Sequence, residues 1–427
     1  MKNATFFSLI IGLPISILAQ NSAKTDLPRP FATKSVTNFS NVVGWKDGAM
    51  PIAPEGFTVT KYAEGFDNPR WMYVTPNGDV LVVESNSNYS VPKQVGATII
   101  GAGKSNELRK SADKITALRD ANKDGIVDKV EIVLTASQGL NQPFGLLVID
   151  KWLYVANTDA LLRFPFDPDN TKIKGDAVKI MDLPAGKINQ HWTRNIIANA
   201  DNSKIYIAIG CATNIGEKGM ENEVLRANIL EINPDGTGMR IYASGLRNPV
   251  GLGWAPGGKI LYTTVNERDE LGNDLVPDYL TSVKDGGFYG WPYTYWGSNF
   301  DPRVKGAFPE IVKKTITPDV DLGAHTASLG LAFYTGKAFP DKYRNGAFIA
   351  QHGSWNREPL SGYKVVFVPF KEGKPAGKPE DFLTGFVIDA KKNEVRGRPT
   401  GITMMNDGSM LVTDDKTNII WRVDASK

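Results

Sequence analysis

The chain has 427 residues, 41% hydrophobic and 22% charged, and its 49 basic and 46 acidic residues leave a formal net charge of +3. That composition excludes a disordered, collagen-like or multi-span membrane chain, and so even a charge balance gives no reason to expect nucleic acid as a partner. A single cysteine, Cys211, excludes an intrachain disulfide and a cysteine-held zinc or iron–sulfur centre.

Residues 1–20 read as a signal peptide: Lys2 is the basic start, residues 6–18 are mostly apolar, and Ala19-Gln20 offers a small-residue cleavage region. No other run approaches the roughly 18 apolar residues that a membrane helix needs. The expected product is secreted or periplasmic, without a membrane span. Residues 21–50 are a polar N-terminal segment, and 51–427 are expected to form one domain.

From there one phrase recurs: a polar or Pro-containing turn, an apolar strand, a turn, and a second apolar strand. It occurs after Asn68-Pro69-Arg70, Gln142-Pro143-Phe144, His191-Trp192-Thr193-Arg194, Arg247-Asn248-Pro249, His325-Thr326-Ala327 and Arg398-Pro399-Thr400. Six such units predict an all-β fold, a six-bladed β-propeller with inserted loops, in preference to a β-sandwich. The segment FTVTKYA, residues 57–63, is expected to join the last blade beside TNIIWRVD and so close the ring. Residues around 105–120 are the best candidate for a short helix.

Residues 120–131, DANKDGIVDKVE, follow a calcium-loop pattern. Asp120, Asn122, Asp124, Asp128 and Glu131 take positions 1, 3, 5, 9 and 12, Gly125 takes position 6, and Ile126 offers a carbonyl at position 7. The flanks are not two helices, so the expected role is a structural Ca2+ site.

A propeller binds ligand on its axis, near the starts of the innermost strands. Gln142, His191, Arg194, Arg247, Asn248, His325, Arg396 and Arg398 precede or open those strands and are expected to converge. Histidine and arginine are not the usual turn residues, which favours a functional ring. Converging arginines suit an anionic, planar or carboxylate-bearing ligand. A histidine among them is held neutral by like charge and can act as a general base.

At these residues the chain resembles the pyrroloquinoline-quinone (PQQ)-dependent sugar dehydrogenases, in particular the sorbosone and aldose dehydrogenase group. The matching stretches are HWTRN (191–195), SGLRNPVGL (244–252), TVNERDELGNDLVPDYLTSVKDGGFYGWPY (264–293), AFIAQHGSWNREPLSGYKVVFVPF (347–370) and RGRPTGI (396–402). The resemblance is strong from about residue 190 onward and thinner from 50 to 190. It implies that His191 is the catalytic base and that Arg247 holds the reactive quinone carbonyl. It implies that Asn248 contacts the cofactor and that Arg396 and Arg398 grip its carboxylates. Glu267 and Arg268 stand where relatives place a calcium ion partly on backbone carbonyls, and where some of them carry Gly-Pro. His325, Asn356 and Arg357 fall in regions that hold further cofactor contacts in other subgroups.

The function these features predict is oxidation of an aldose or sorbosone-like sugar, by general-base-assisted hydride transfer to PQQ with Ca2+ as second cofactor. A Cys-x-x-Cys-His haem motif is absent, so the electrons are expected to leave to a separate acceptor. The alternatives are a calcium-dependent lactonase or hydrolase propeller, which would need a channel rich in Asn, Asp and Glu, and a non-catalytic carbohydrate-binding propeller. His352 reads as a structural or supporting residue, Trp291, Tyr293, Tyr295 and Trp296 as packing or a sugar-lining group, and Cys211 as a buried, inert thiol.

Overall fold

A computed structural model describes residues 26–88, 96–98, 101–105, 108–306 and 308–426. The expected signal peptide lies outside the described residues. Among them, six antiparallel sheets of four main strands follow one another along the chain. The first hairpins of these sheets are Pro69–Val74 with Val80–Glu84, Gly145–Ile149 with Trp152–Ala156, and Arg194–Ala198 with Ile205–Ile209. They continue with Pro249–Trp254 and Leu261–Val265, Ser328–Phe333 and Ala347–Gln351, and Pro399–Met404 and Met410–Asp414. Each coincides with one of the six repeated phrases. We number these sheets 1 to 6 in that order.

The first strands pack against one another in chain order, and that of sheet 6 packs against that of sheet 1. Glycines permit this close approach. A Cβ on Gly145 would stand 2.6 Å from the Ile196 nitrogen, and one on Gly330 would stand 2.5 Å from the Thr400 carbonyl oxygen. A side chain at either place would push neighbouring first strands apart.

The middle strands are apolar on both faces, as in Val80–Val83, because each sheet is sandwiched between two others. Each neighbouring pair of sheets shares one core cluster. Sheets 1 and 2 join through Leu81, Ile115, Leu153 and Phe164, and sheets 6 and 1 through Met72, Val82, Leu411 and Ile420.

The fourth strand of sheet 6 comes from near the other end of the chain. Phe57–Glu64 pairs antiparallel with Ile419–Ala425, with Val59 opposite Val423. This is the pairing expected from sequence.

The helix expected around 105–120 is not formed. Lys114–Arg119 is instead the third strand of sheet 1, with Ile115 opposite Val83 and Thr116 donating to Glu84 Oε1 at 2.5 Å. Burial of Ile115, Ala117 and Leu118 between neighbouring strands outweighs local helical preference.

Because the first two strands of each sheet are antiparallel, the residues before the first strand and after the second lie at the same end. Segments from all six sheets therefore meet there, at what we call the mouth. The turn after the first strand and the loop between the third and fourth lie at the opposite end.

Candidate active site at the mouth

His191 opens sheet 3. Its Nδ1 lies 2.8 Å from the Cys211 carbonyl oxygen, just past the end of the neighbouring strand. A carbonyl only accepts, so Nδ1 carries the hydrogen and Nε2 keeps a free lone pair. Burial, then the charge of Arg247, pushes the imidazole pKa down to about 3, so the ring is neutral. The Cys211 thiol donates to the Thr213 carbonyl at 2.8 Å and is pushed up by burial, in keeping with an inert thiol.

Arg247 precedes sheet 4. Its Nε donates to the Asn214 carbonyl at 3.2 Å, and its Nη1 to the carbonyls of Asn266 at 3.3 Å and Glu267 at 2.6 Å. Its Nη2 donates to Asn214 Oδ1 at 2.9 Å and Asp269 Oδ2 at 3.0 Å. A guanidinium has five N–H donors, and all are taken. Arg247 lends charge to the site, but a ligand oxygen gains a bond from it only by displacing Asn214 or Asp269.

Asp269, which sequence reasoning missed, links several of the expected residues. Asn356 Nδ2 donates to its Oδ1 at 2.7 Å and also lies 3.2 Å from His325 Nδ1. His325 Nε2 lies 3.0 Å from the Gly272 carbonyl. Burial opposes ionisation of Asp269, yet Arg247 and His325 hold its carboxyl well below the usual range. His325 and Gln142 have left-handed backbones, φ +58° and +45°, a strained geometry common at functional sites. Gln142 is tied back by its Nε2, which donates to the Asn86 carbonyl at 2.8 Å.

A second network spans sheets 5, 6 and 1. Asp415 accepts from Arg70 Nη1 at 2.5 Å and His352 Nε2 at 2.8 Å, and pairs with Lys416 Nζ at 3.2 Å. Arg398 donates to the carbonyls of His352, at 2.9 Å, and Gly353. Burial raises the Asp415 carboxyl, but the surrounding cations outweigh it and hold the group ionised. Arg70, Asp415 and Lys416 were also missed. They and Asp269 flank the first hairpins of their sheets, as the expected residues do in others.

Several expected residues stand elsewhere. Arg194 is 0% exposed, and its two terminal nitrogens bond the carbonyls of His191, Thr193 and Pro184 and Asn189 Oδ1. It positions the loop carrying His191 and is not a cofactor contact. Arg357 pairs with Asp274 at 2.8 Å on the rim. Arg396 donates to the Gly385 carbonyl at 2.8 Å and stacks over Trp45, so it does not share a partner with Arg398. Trp291 and Tyr295 are packing residues, each buried.

The expected metal positions hold partners of their own. Among the described residues, no three His, Cys, Asp or Glu side chains could together hold a metal ion. The Glu267 carbonyl is spent on Arg247, and the buried Arg268 guanidinium bonds Glu267 and Asp301. That ion pair replaces the open carbonyls which a Gly-Pro would leave.

In the 120–131 loop, Asp120 accepts the Asp124 and Gly125 N–H groups at 3.1 and 2.7 Å, and Asp128 accepts that of Ala121 at 2.7 Å. Asn122 and Ile126 donate to Asp124, not to a shared centre. Glu131 is carried away along strand Lys129–Leu134 and pairs with Lys129 at 2.6 Å. The loop joins the third and fourth strands of sheet 1, so it lies at the end opposite the mouth.

Whether the mouth suits an anionic quinone is tested by its own polar atoms. Asn248 Oδ1 is buried without a hydrogen-bond partner, and a Cβ on the neighbouring Gly210 would collide with it at 2.3 Å. A buried orphan acceptor is costly unless a ligand completes it. Arg70 and Lys416 pair with Asp415, and the neighbouring Asp414 accepts the Arg398 N–H at 2.9 Å. The orphan Asn248 oxygen fits a polar ligand.

Comparison with known proteins agrees with this architecture. Residues 52–354 match the family model described as Domain of unknown function (DUF7133), and residues 310–426 match one described as TrAA12-like. An uncharacterized protein of Borreliella burgdorferi is 33% identical over 311 residues, covering 70% of this chain and 79% of its own. A pyrroloquinoline quinone-dependent pyranose dehydrogenase of Coprinopsis cinerea is 22% identical over 421 residues, covering 85% of this chain. This chain spans about half of that relative's length, 53%. The holo PQQ domain of pyranose dehydrogenase from Coprinopsis cinerea superposes with a TM-score of 0.68 at 20% identity, over 90% of this chain and 100% of the other. The calcium structure of the Trichoderma reesei Carbohydrate-Active Enzymes Family AA12 protein gives 0.70 at 16% identity, over 89% and 100%. The chain thus belongs to the DUF7133 family, and its fold is that of the PQQ-dependent sugar dehydrogenases.

Proposed function

We propose that the six sheets are the blades of a six-bladed β-propeller, and that the protein is an exported PQQ-dependent oxidoreductase acting on a sugar. The names of the Coprinopsis and Trichoderma relatives support this chemistry. The observation that carries it is His191, a neutral imidazole at the mouth with one nitrogen fixed by the Cys211 carbonyl and the other bare.

When bound, an ortho-quinone supplies an electrophilic carbonyl that accepts two electrons. The chain supplies the rest. Arg398, Arg70 and Lys416 attract the carboxylates of the cofactor, and Asn248 Oδ1 takes a hydrogen bond from its polar edge. His191 Nε2 takes the proton of the reacting sugar hydroxyl, so that negative charge builds on that oxygen as the hydride departs. Such base assistance is worth about 10²–10⁴-fold in rate. Arg247 and Asp269 set the local charge around His191. The residues at Glu267-Arg268 do not fit calcium, and no step here passes through it. Export rests on residues 1–20, and the physiological electron acceptor is a separate molecule.

The test is to add PQQ to the purified protein and follow dye reduction with a panel of aldoses. Quinone-dependent reduction by at least one sugar is expected. Sugar oxidation without the quinone, or quinone binding with no turnover of any sugar, would overturn the proposal; the second result would favour the non-catalytic propeller.

A further inference from the structure

The N-terminal segment crosses the mouth. It is pinned at one end, where the Phe31 N–H donates to the Leu271 carbonyl at 2.7 Å and the Asn273 N–H donates to Thr33 Oγ1 at 2.9 Å. It is pinned at the other, where the Asn38 N–H donates to the Trp355 carbonyl at 2.7 Å and Phe39 stacks on the Trp355 ring at 5.7 Å. Asn41 and Val42 then run parallel to Glu394 and Val395. Between the pins, Lys34 to Thr37 make no hydrogen bond among the described residues. They form a short bridge.

Beneath this bridge is a cavity of about 230 Å³. Ser35, Val36 and Thr37 form its outer wall, and Asp269, His325 and Asn356 of the site described above form the inner one. Trp355 also lines it, is 40% exposed, and packs Phe39 against its ring. The lining thus combines an apolar ring face with carboxylate, amide, imidazole and hydroxyl groups. That mixture suits a polyhydroxylated ring, whose C–H faces pack on an aromatic and whose hydroxyls bond at the edges. The cavity falls below the roughly 300–1,000 Å³ that drug-sized ligands fill, and Ser35, Val36 and Thr37 bound one side of it.

We propose that residues 34–37 are the outer wall of a single-ring sugar subsite bounded by Trp355, Asp269, His325 and Asn356, and that this wall restricts the protein to monosaccharides. The inference rests on the sugar-oxidising reading above, and it adds the size of the substrate and the element that sets it. Nothing in it requires the bridge to move.

Binding is the direct test, because it does not need turnover. Glucose, galactose, mannose and xylose, and the trisaccharides maltotriose and raffinose, are titrated calorimetrically into PQQ-treated protein. At least one aldose should bind ten times or more tighter than either trisaccharide. Val36→Trp, which fills the cavity from its wall, should weaken that aldose tenfold or more while quinone binding and melting temperature stay unchanged. Ser35→Gly with Val36→Gly should loosen the wall and bring aldose and trisaccharide within about threefold of each other.

The proposal falls if no aldose binds, if trisaccharides bind as well as aldoses to the unaltered protein, or if Val36→Trp binds its aldose normally. Should Val36→Trp fail to fold, the glycine pair still decides the matter: an unchanged ratio overturns the proposal. Size-ranked binding without dye reduction would overturn the catalytic reading and leave this wall standing.

Discussion

His191 and His352 occupy related places, one just before a first strand and the other just after a second strand, and both are held neutral by burial. Their surroundings give them opposite uses. His191 spends Nδ1 on a backbone carbonyl and presents a bare Nε2. His352 spends Nε2 on the Asp415 carboxylate inside a cluster of cations. A histidine at the mouth can serve as a base only where its second nitrogen is left without a partner. The partner, more than the position, separates chemistry from architecture.

The largest effect expected from this contrast is on turnover. His191→Ala should lower kcat by about 10²–10⁴-fold with quinone binding retained, measured by dye reduction beside a binding titration. His352→Ala should instead weaken quinone binding and stability together. The comparison breaks if the two variants lose turnover equally with binding intact.

Next is the charge cluster itself. Asp415→Asn removes the carboxylate that pairs with buried Arg70, and losing one partner of a buried pair costs about 3–5 kcal/mol. Denaturant unfolding should show a loss of that size. A change of under about 1 kcal/mol, the range of an exposed pair, would mean that water reaches the cluster.

Gly145→Ala tests the ring of first strands that carries both histidines. Its Cβ would meet Ile196 backbone at 2.6 Å, and such overpacking costs about 1–3 kcal/mol. A neutral result by thermal unfolding would show that neighbouring first strands have room to shift.

The smallest effect concerns pH. With the His191 pKa near 3, kcat should stay within about twofold from pH 8 to 5. A fall centred on the ordinary histidine value of 6.5 would show that the ring is not shielded. Stability should behave differently. His352 falls from 6.5 to about 4 on folding. Between those values the unfolded chain binds a proton that the folded chain refuses. The contribution is therefore complete above pH 6.5 and lost as pH falls toward 4, which melting temperatures at pH 7 and pH 5 would register. His191 adds in the same direction, whereas His325, raised by the bond to Asp269 despite burial, opposes it.

Much of the architecture was legible because period-two apolar runs and Pro- or Gly-marked turns act locally. All six hairpins could be found that way, and the closing strand followed from a sheet needing a covered edge. Lys114–Arg119 was misread because its strand character comes from neighbours distant in sequence. His191, the proposed base, was legible as a rare residue in a repeated position. The donors of Arg247 were not, since their partners lie on two segments distant from each other in sequence, Asn214 and the run from Asn266 to Asp269. The surroundings of the calcium pattern were hidden for a similar reason: the chain leaves its last position as a strand that pairs Glu131 with Lys129.

The pairing of Phe57–Glu64 with Ile419–Ala425 has a consequence for how the protein is made. Sheet 6 takes one strand from Phe57–Glu64 and its partner from Ile419–Ala425, so that edge stays open until the later strand has been made. Contacts this distant in sequence form slowly, and an unpaired strand edge invites association with other chains. Completion must await Ile419–Ala425. That strand is therefore a built-in checkpoint: without it, Phe57–Glu64 has no strand to pair with in sheet 6.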